Sequence, residues 1–283
     1  METRAYQALI CPRCGAAPEP GAARCRGCGR AIAAAGGGLD LLDDDERLAA
    51  DGFARLYAAL RRREGWAGAD GREDPQGGEP KLWRGRMESV SEAAGVLSTA
   101  WKGGGRQVVL DVGSGGGWAA RYLGHADVIA IDLLDVPTQA GVLHVRGDMR
   151  RLPVRDSSVD AALYAASLHY SPLSESIREA ARVLAPGGLL VAVDSPIYEG
   201  RRSQARAEER SKAYYAAAGF PELGRHYHPI DVTELRACLA AAGFDVLRFD
   251  TGRSSQRWWS RLGRPGRSSF LIAKLVRLET PYA

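Results

Sequence analysis

VVLDVGSGGGW, residues 108–118, decides how the rest of the chain is read. A short apolar run, Val108 to Val112, ends in a turn holding Gly113, Gly115, Gly116 and Gly117, and a helix is expected to follow. In doubly wound sheets a glycine-rich turn at the carboxyl end of the first strand is where backbone approaches a ligand closely. The dinucleotide pattern G-x-G-x-x-G would need glycine at position 118, which is Trp118. The pattern present is Asp111-x-Gly113-x-Gly115-x-Gly117. A carboxylate at the strand end suits an amino-acid moiety better than a pyrophosphate, which it would repel.

Working outward, short apolar runs alternate with helical stretches from residue 86 onward. The patterning predicts strands at 107–112, 127–132, 142–146, 159–166, 188–194, 244–250 and 269–277. Helices are expected at about 86–101 and at 174–184, 203–217 and 231–242. This alternation indicates an α/β layer around a mainly parallel sheet. The last two strands lack a clear helix between them, so an antiparallel pair is expected there. Upstream, Leu48, Phe53, Leu56, Tyr57 and Leu60 recur at helical spacing. The segment 64–80, with five glycines and two prolines, reads as a loop or linker.

The elements after residue 86 resemble, in order, the class I S-adenosylmethionine-dependent methyltransferases, whose sheet is seven-stranded, doubly wound and Rossmann-like. The resemblance makes Asp111, Gly113, Ser114, Gly115 and Gly117 the first cofactor motif. In VIAIDLL it places Asp132, 21 residues after Asp111 and followed by Leu133, to accept hydrogen bonds from the ribose hydroxyls. In RGDMRRLP it implies that Asp148 takes the adenine amino group and that the Met149 backbone meets the ring. VDAALYAASLHY would be the fourth strand, ending at Ala165 beside the sulfonium. IREAARVLAPGGLLVAVDSP matches the helix, turn and fifth strand. On the residues alone, Asp148 capping its own turn and Asp132 pairing with a surface arginine stay open.

Four of the five cysteines stand in CPRCGAAPEPGAARCRGCG, residues 11–29, as C-x2-C, ten residues, C-x2-C. Cys11, Cys14, Cys25 and Cys28 offer four thiolates, the donor set of a closed tetrahedral zinc site. Glycine after each pair lets the turn direct backbone N–H groups at sulfur. Two disulfides and a rubredoxin-like iron site are the alternatives. The segment resembles zinc ribbons fused to, or partnered with, methyltransferases, where a tail like GGLDLL (37–42) follows the cysteines. A ribosomal-RNA guanine methyltransferase family begins in the same way, but its C-terminal half has no obvious match here. The expected organisation is a zinc ribbon at 1–42, a helix and linker at 43–85, and a methyltransferase domain at 86–283.

The chemistry implied is in-line transfer of a methyl group from S-adenosylmethionine to an acceptor. His169 and Tyr170, just after the fourth strand, are the candidate catalytic residues, with His226 and His228 as further candidates. His169 acting as a base and His169 merely shaping the pocket are both open. SLHY stands where amino-group methyltransferases of bases or glutamine carry N-P-P-Y, which favours an O-, C- or small-molecule N-acceptor. Cys238, in an apolar helical run, reads as a core thiol.

The net charge is +4, and residues 251–283 alone contribute +6. The stretch 253–267 holds five arginines with Trp258 and Trp259. It reads as a solvated loop, a holder of acidic, lipid-linked or RNA partners, or a peripheral membrane contact. No run is long and apolar enough to span a bilayer, and no signal peptide is evident, so a cytoplasmic location is expected. Oligomeric state is not legible. The main expectation is methylation of a small or lipid-linked metabolite. An RNA methyltransferase and a non-catalytic cofactor-binding protein are the alternatives; the intact glycine motif argues against the last.

Overall fold

The computed structural model describes residues 3–19, 21–35, 38–68, 73–75, 79–101, 106–124, 126–135, 139–251 and 269–276. The arginine and tryptophan stretch at 253–267 lies outside the described residues.

In chain order the elements are α1 (Arg4–Gln7), β1 (Ala33–Ala35), β2 (Gly38–Asp40), α2 (Asp44–Arg63), α3 (Pro80–Ala100), β3 (Val108–Val112), β4 (Asp127–Asp132) and β5 (Val142–Arg146). Then come β6 (Val159–Ala165), α4 (Leu173–Val183), β7 (Leu184–Val193), β8 (Ile197–Tyr198), α5 (Arg201–Ala217), β9 (Ile230–Asp231), α6 (Val232–Ala241), β10 (Phe244–Asp250) and β11 (Phe270–Leu275). Short 3-10 segments lie at Trp118–Tyr122, Leu168–Tyr170 and Pro221–His226.

The main sheet runs β1-β2-β5-β4-β3-β6-β7-β11-β10. From β2 to β7 every pairing is parallel, and β11 runs antiparallel to both β7 and β10. Side chains alternate between two buried faces, as a covered parallel sheet requires. Val108, Leu110 and Val112 join Ala5, Ile177 and Leu235 of the α1, α4 and α6 face. Val109 joins Trp83 and Trp118 on the α3 face.

All seven expected strands form, but the sheet has nine. β1 and β2 come from the N-terminal segment, and β2 lies parallel to β5 with Leu39 opposite Val145. Strands of three residues are too short to show a period of two. Gly38 is required there, because a Cβ would collide with the His144 carbonyl. Two helices also differ from expectation. α3 begins at Pro80, not near residue 86, since proline at the first helical position is preset for the helix. After the glycine turn the chain makes only the 3-10 turn Trp118–Tyr122 instead of a longer helix.

The packing crosses the expected boundaries at 42/43 and 85/86. Leu9 bridges Val154, and Cys11 and Cys25 are buried in the same cluster as Leu110 and Ile131. Leu9 is fully buried. Leu9→Ala should therefore lower whole-chain stability by about 2–5 kcal/mol. All six tryptophans lie beyond residue 42. The loss should appear as a shifted urea midpoint of tryptophan fluorescence; an unchanged midpoint would show that the N-terminal segment unfolds on its own.

Candidate functional site

The strand order reverses beside β3, so the carboxyl ends of β3, β4 and β6 open a cleft. Gly113 forms its floor at φ 68°, and a Cβ there would lie 2.5 Å from Ser167 Cβ. The N–H of Gly115 donates to Asp132 Oδ2 at 2.7 Å, and that of Leu134 to Oδ1 at 2.9 Å. These bonds tie the turn after β3 to the end of β4. Asp111 is fully buried beneath the turn, and neither carboxylate oxygen has a hydrogen-bond partner. Burial, reinforced by the Asp132 charge, pushes its carboxyl up to about 7. Burial likewise pushes Asp132 up to about 6, against the stabilising N–H bonds from Leu134 and Gly115.

The cleft continues into a cavity of about 330 Å³. Gly113, Ser114, Gly115, Asp132, Leu133, Asp148, Met149, Ala165 and Tyr170, all expected from the sequence, line it. Gly117 and Asp111 lie behind that lining. Asp148 caps its own turn by accepting the Arg150 N–H at 2.8 Å, and it also takes the Arg150 guanidinium. Ala166 holds a left-handed φ of 56° at the end of β6, a strained conformation for a residue with a Cβ.

His169 does not reach the cavity. In the 3-10 turn Leu168–Tyr170 successive side chains point about 120° apart. Tyr170 therefore faces the cavity while His169 is buried behind it, 3.3 Å from Ser195 Oγ through Nδ1. Burial, then the nearby Arg86 and Arg61 charges, pushes its imidazole down to about 3. It is neutral at any physiological pH, and His226 and His228 are the imidazoles on the cavity wall.

The roof comes from segments that sequence reading assigned no role in the site. α2 places Glu46, Ala49, Ala50, Phe53 and Tyr57 along one helical face over the cleft. Glu73, from the expected linker, sits against Gly115 and Gly116 and accepts a hydrogen bond from the Tyr57 hydroxyl at 3.3 Å. Buried Arg61 pairs with Glu64 at 2.6 Å and donates to the Tyr170 hydroxyl. Arg86 also lines the cavity, its guanidinium 3.9 Å over the Trp66 ring. Buried Arg146 joins roof and floor: it donates to the Leu133 carbonyl at 2.8 Å and pairs with Asp40 of β2 and Asp51 of α2.

Away from the cavity, the sulfurs of Cys11, Cys14, Cys25 and Cys28 all lie within 4.8 Å of one another. Backbone N–H groups of Gly27 and Cys28 reach Cys25, and those of Arg13 and Cys14 reach Cys11. That donor set and N–H cage suit a tetrahedral thiolate-bound metal. Cys238, in α6, is partly buried against the core.

Residues 110–192 match the family described as "Methyltransferase domain". The likeness is confined to that segment, which holds the glycine turn and the strands around the cleft. An uncharacterized methyltransferase of Mycobacterium tuberculosis is 39% identical over 90 residues, 29% of this chain and 37% of the relative. An uncharacterized chloroplastic methyltransferase of Arabidopsis thaliana is 33% identical over 112 residues, 32% of this chain and 31% of the relative. The chain thus spans about a third of the length of these curated relatives. Among solved structures, geranyl diphosphate C-methyltransferase of Streptomyces coelicolor, in complex with Mg2+, geranyl diphosphate and S-adenosyl-L-homocysteine, superimposes with a TM-score of 0.50 at 17% identity. That match covers 66% of this chain and 79% of the other and shows a shared fold. No helix among the described residues is long and apolar enough to cross a membrane.

The raised Asp111 carboxyl has a measurable consequence. A group whose pKa is higher folded than unfolded stabilises the fold below its unfolded value, near 3.8, and that stabilisation is lost as pH rises through about 7. Asp111→Asn should flatten this loss, leaving the ligand-free variant more stable than the parent chain at pH 8 but not at pH 4. Urea midpoints at the two pH values read the difference, and a variant less stable at pH 8 would refute the buried, uncompensated carboxylate.

Proposed function

We propose that this chain transfers a methyl group from S-adenosylmethionine to a small or lipid-linked acceptor. The observation that supports this most is the Asp111 carboxylate, buried without a partner beneath the glycine turn, beside Asp132. Such a floor favours a ligand that brings positive charge and ribose hydroxyls, and it repels a pyrophosphate. When bound, S-adenosylmethionine supplies an electrophilic methyl group.

The residues divide that work by position. Asp132 is placed to accept hydrogen bonds from ribose hydroxyls, and Asp148 and Met149 to meet the adenine. Asp111 and Glu73 supply negative charge near the ammonium and sulfonium, and Arg86 a cation for the carboxylate. The roof of α2 keeps water out of the cleft. Tyr170, whose hydroxyl accepts from Arg61, stands on the acceptor side of the cavity, where it orients the acceptor while its own ring is fixed by Tyr57. This makes Tyr170, and not His169, the residue that touches the acceptor.

The four cysteines hold a structural zinc in this reading, since four protein ligands leave no open position. The knuckles also hold the site. Ile10 N–H donates to the Pro153 carbonyl, and Arg151 donates to the Pro12 carbonyl and to Asp43. Asp43 in turn pairs with Arg30 at 2.8 Å and caps α2, the roof.

Calorimetry should detect S-adenosylhomocysteine binding, weakened by about 1.5–3 kcal/mol in Asp132→Ala, the scale of hydrogen bonds to a charged group. Binding of NAD in place of S-adenosylhomocysteine would overturn the reading. Removing the metal with a chelator should also weaken S-adenosylhomocysteine binding, by about tenfold or more, because fewer molecules keep roof and floor in place. Affinity untouched by verified metal loss would show that the knuckles do not support the site.

A further inference from the structure

Beyond the donor side, the cavity ends in a group of basic side chains that the methyl-donor chemistry leaves unused. Arg150, Arg225, His226 and His228 all line this end. His226 feels both Arg150 and Arg225, which, after its burial, lower its affinity for a proton. Apart from Asp148, the carboxylates nearby reach this group only through space, Glu175 and Glu46 toward Arg150 and Glu208, Glu175 and Glu234 toward His228, and none of them forms an ion pair with it among the described residues. Asp148 is held by Arg150, Glu46 accepts the Asp43 N–H at 2.9 Å, Glu208 pairs with Lys212 at 2.6 Å, and Glu234 accepts from Gln204 at 3.1 Å. Glu175 lies in the first turn of α4, at that helix's positive end. Among the described residues no carboxylate pairs with Arg225, and Arg150 keeps Nη1 outside its fork on Asp148.

The same end has a continuous apolar wall. Phe53 stacks on Tyr57 with ring centroids 5.3 Å apart, His226 meets Phe53 edge-on at 4.8 Å, and Tyr170 meets Tyr57 edge-on at 5.8 Å. A ring wall capped by the Arg225 guanidinium, the outer nitrogen of Arg150 and two imidazoles suits a molecule with an apolar body and an acidic end. A neutral metabolite would leave Arg225 and the imidazoles without a partner, and a cationic one would be repelled.

We propose that Arg225, His226, His228 and the free nitrogen of Arg150 form an anion cradle that selects an acceptor with an apolar body and one carboxylate or phosphate group. The body lies along Phe53, Tyr57 and Tyr170, which turns its other end toward Ala165 and the methyl donor. This specificity site rests on the methyl-transfer reading, but anion binding is measurable without it.

The test uses full-length, metal-loaded protein saturated with S-adenosylhomocysteine, with the imidazole C–H signals of His226 and His228 followed by NMR. Benzoate and inorganic pyrophosphate are titrated separately, as probes of a carboxylate and a phosphate source. At least one should shift both signals saturably and raise the pH at which they titrate. Arg225→Ala, an exposed position, should weaken that binding by about ten- to a hundredfold, the loss of one or two charge-assisted hydrogen bonds. Geranyl diphosphate against geraniol, and 4-hydroxybenzoate against its methyl ester, then extend the test to whole acceptors, the acid of at least one pair binding more tightly. No saturable shift with either anion, or shifts untouched by Arg225→Ala, would overturn the cradle. If the anions bind but S-adenosylhomocysteine does not, the cradle stands and the methyl-transfer reading fails.

Discussion

A fully buried carboxylate with a half-buried one beside it, and a counter-charge for neither, sets the terms for this molecule. Asp111 and Asp132 sit at the ends of adjacent strands, and neither makes an ion pair among the described residues. Backbone N–H groups partly stabilise Asp132, while Asp111 has nothing. Burial of that kind disfavours the folded state unless something else compensates. Here the surrounding sheet compensates: β3 is buried along its whole length and bonded on both sides. The site is thus a local strain held by a global core, one that a cationic group would relieve.

The roof shows the opposite electrostatic arrangement. Arg61 is a buried cation, but Glu64, Glu73 and Tyr57 of α2 and the following segment surround it, together with Tyr170 of the turn after β6. Among the described residues the buried carboxylate of the floor has no partner, whereas the buried cation of the roof has several. Roof and floor meet through Arg146, whose three partners come from the N-terminal strand, the roof helix and the end of β4. The cavity walls are therefore tied to the cysteine knuckles, which grip the turn before β6 and the start of α2.

Much of this was legible in the sequence because strong periodicity survives without context. The seven strands from β3 to β11 are long apolar runs, apart from the tiny pair β8 and β9, and the glycine turn announces itself. That Asp132, Asp148 and Tyr170 would gather at one cleft was legible from their place in that frame. What escaped depends on distant partners. Gly38–Asp40 becomes a strand only because β5 lies alongside it. Glu73 stands among glycines in a stretch that reads as a spacer, and only its position against Gly115 gives it a role. His169 and Tyr170 are neighbours in sequence, and a single 3-10 turn decides which of them faces the cavity. The amphipathic pattern of α2 was visible, yet pattern alone cannot tell a helix packed on a core from one packed over a cleft.

The pairing of β2 with β5 also fixes an order of events. Asp40 and Arg146 meet across 106 residues of chain. A ribosome that has released the N-terminal segment must synthesise α2, α3, β3 and β4 before β2 has an edge to join. Contacts closed over such separations form late in folding. The cysteine knuckles are local, with all four thiols between residues 11 and 28, and can close as soon as they emerge. A metal captured early would keep that segment compact through the wait. The part of the cavity made first is then the part seated last, so the ligand site comes into being only when the chain's beginning returns to its middle.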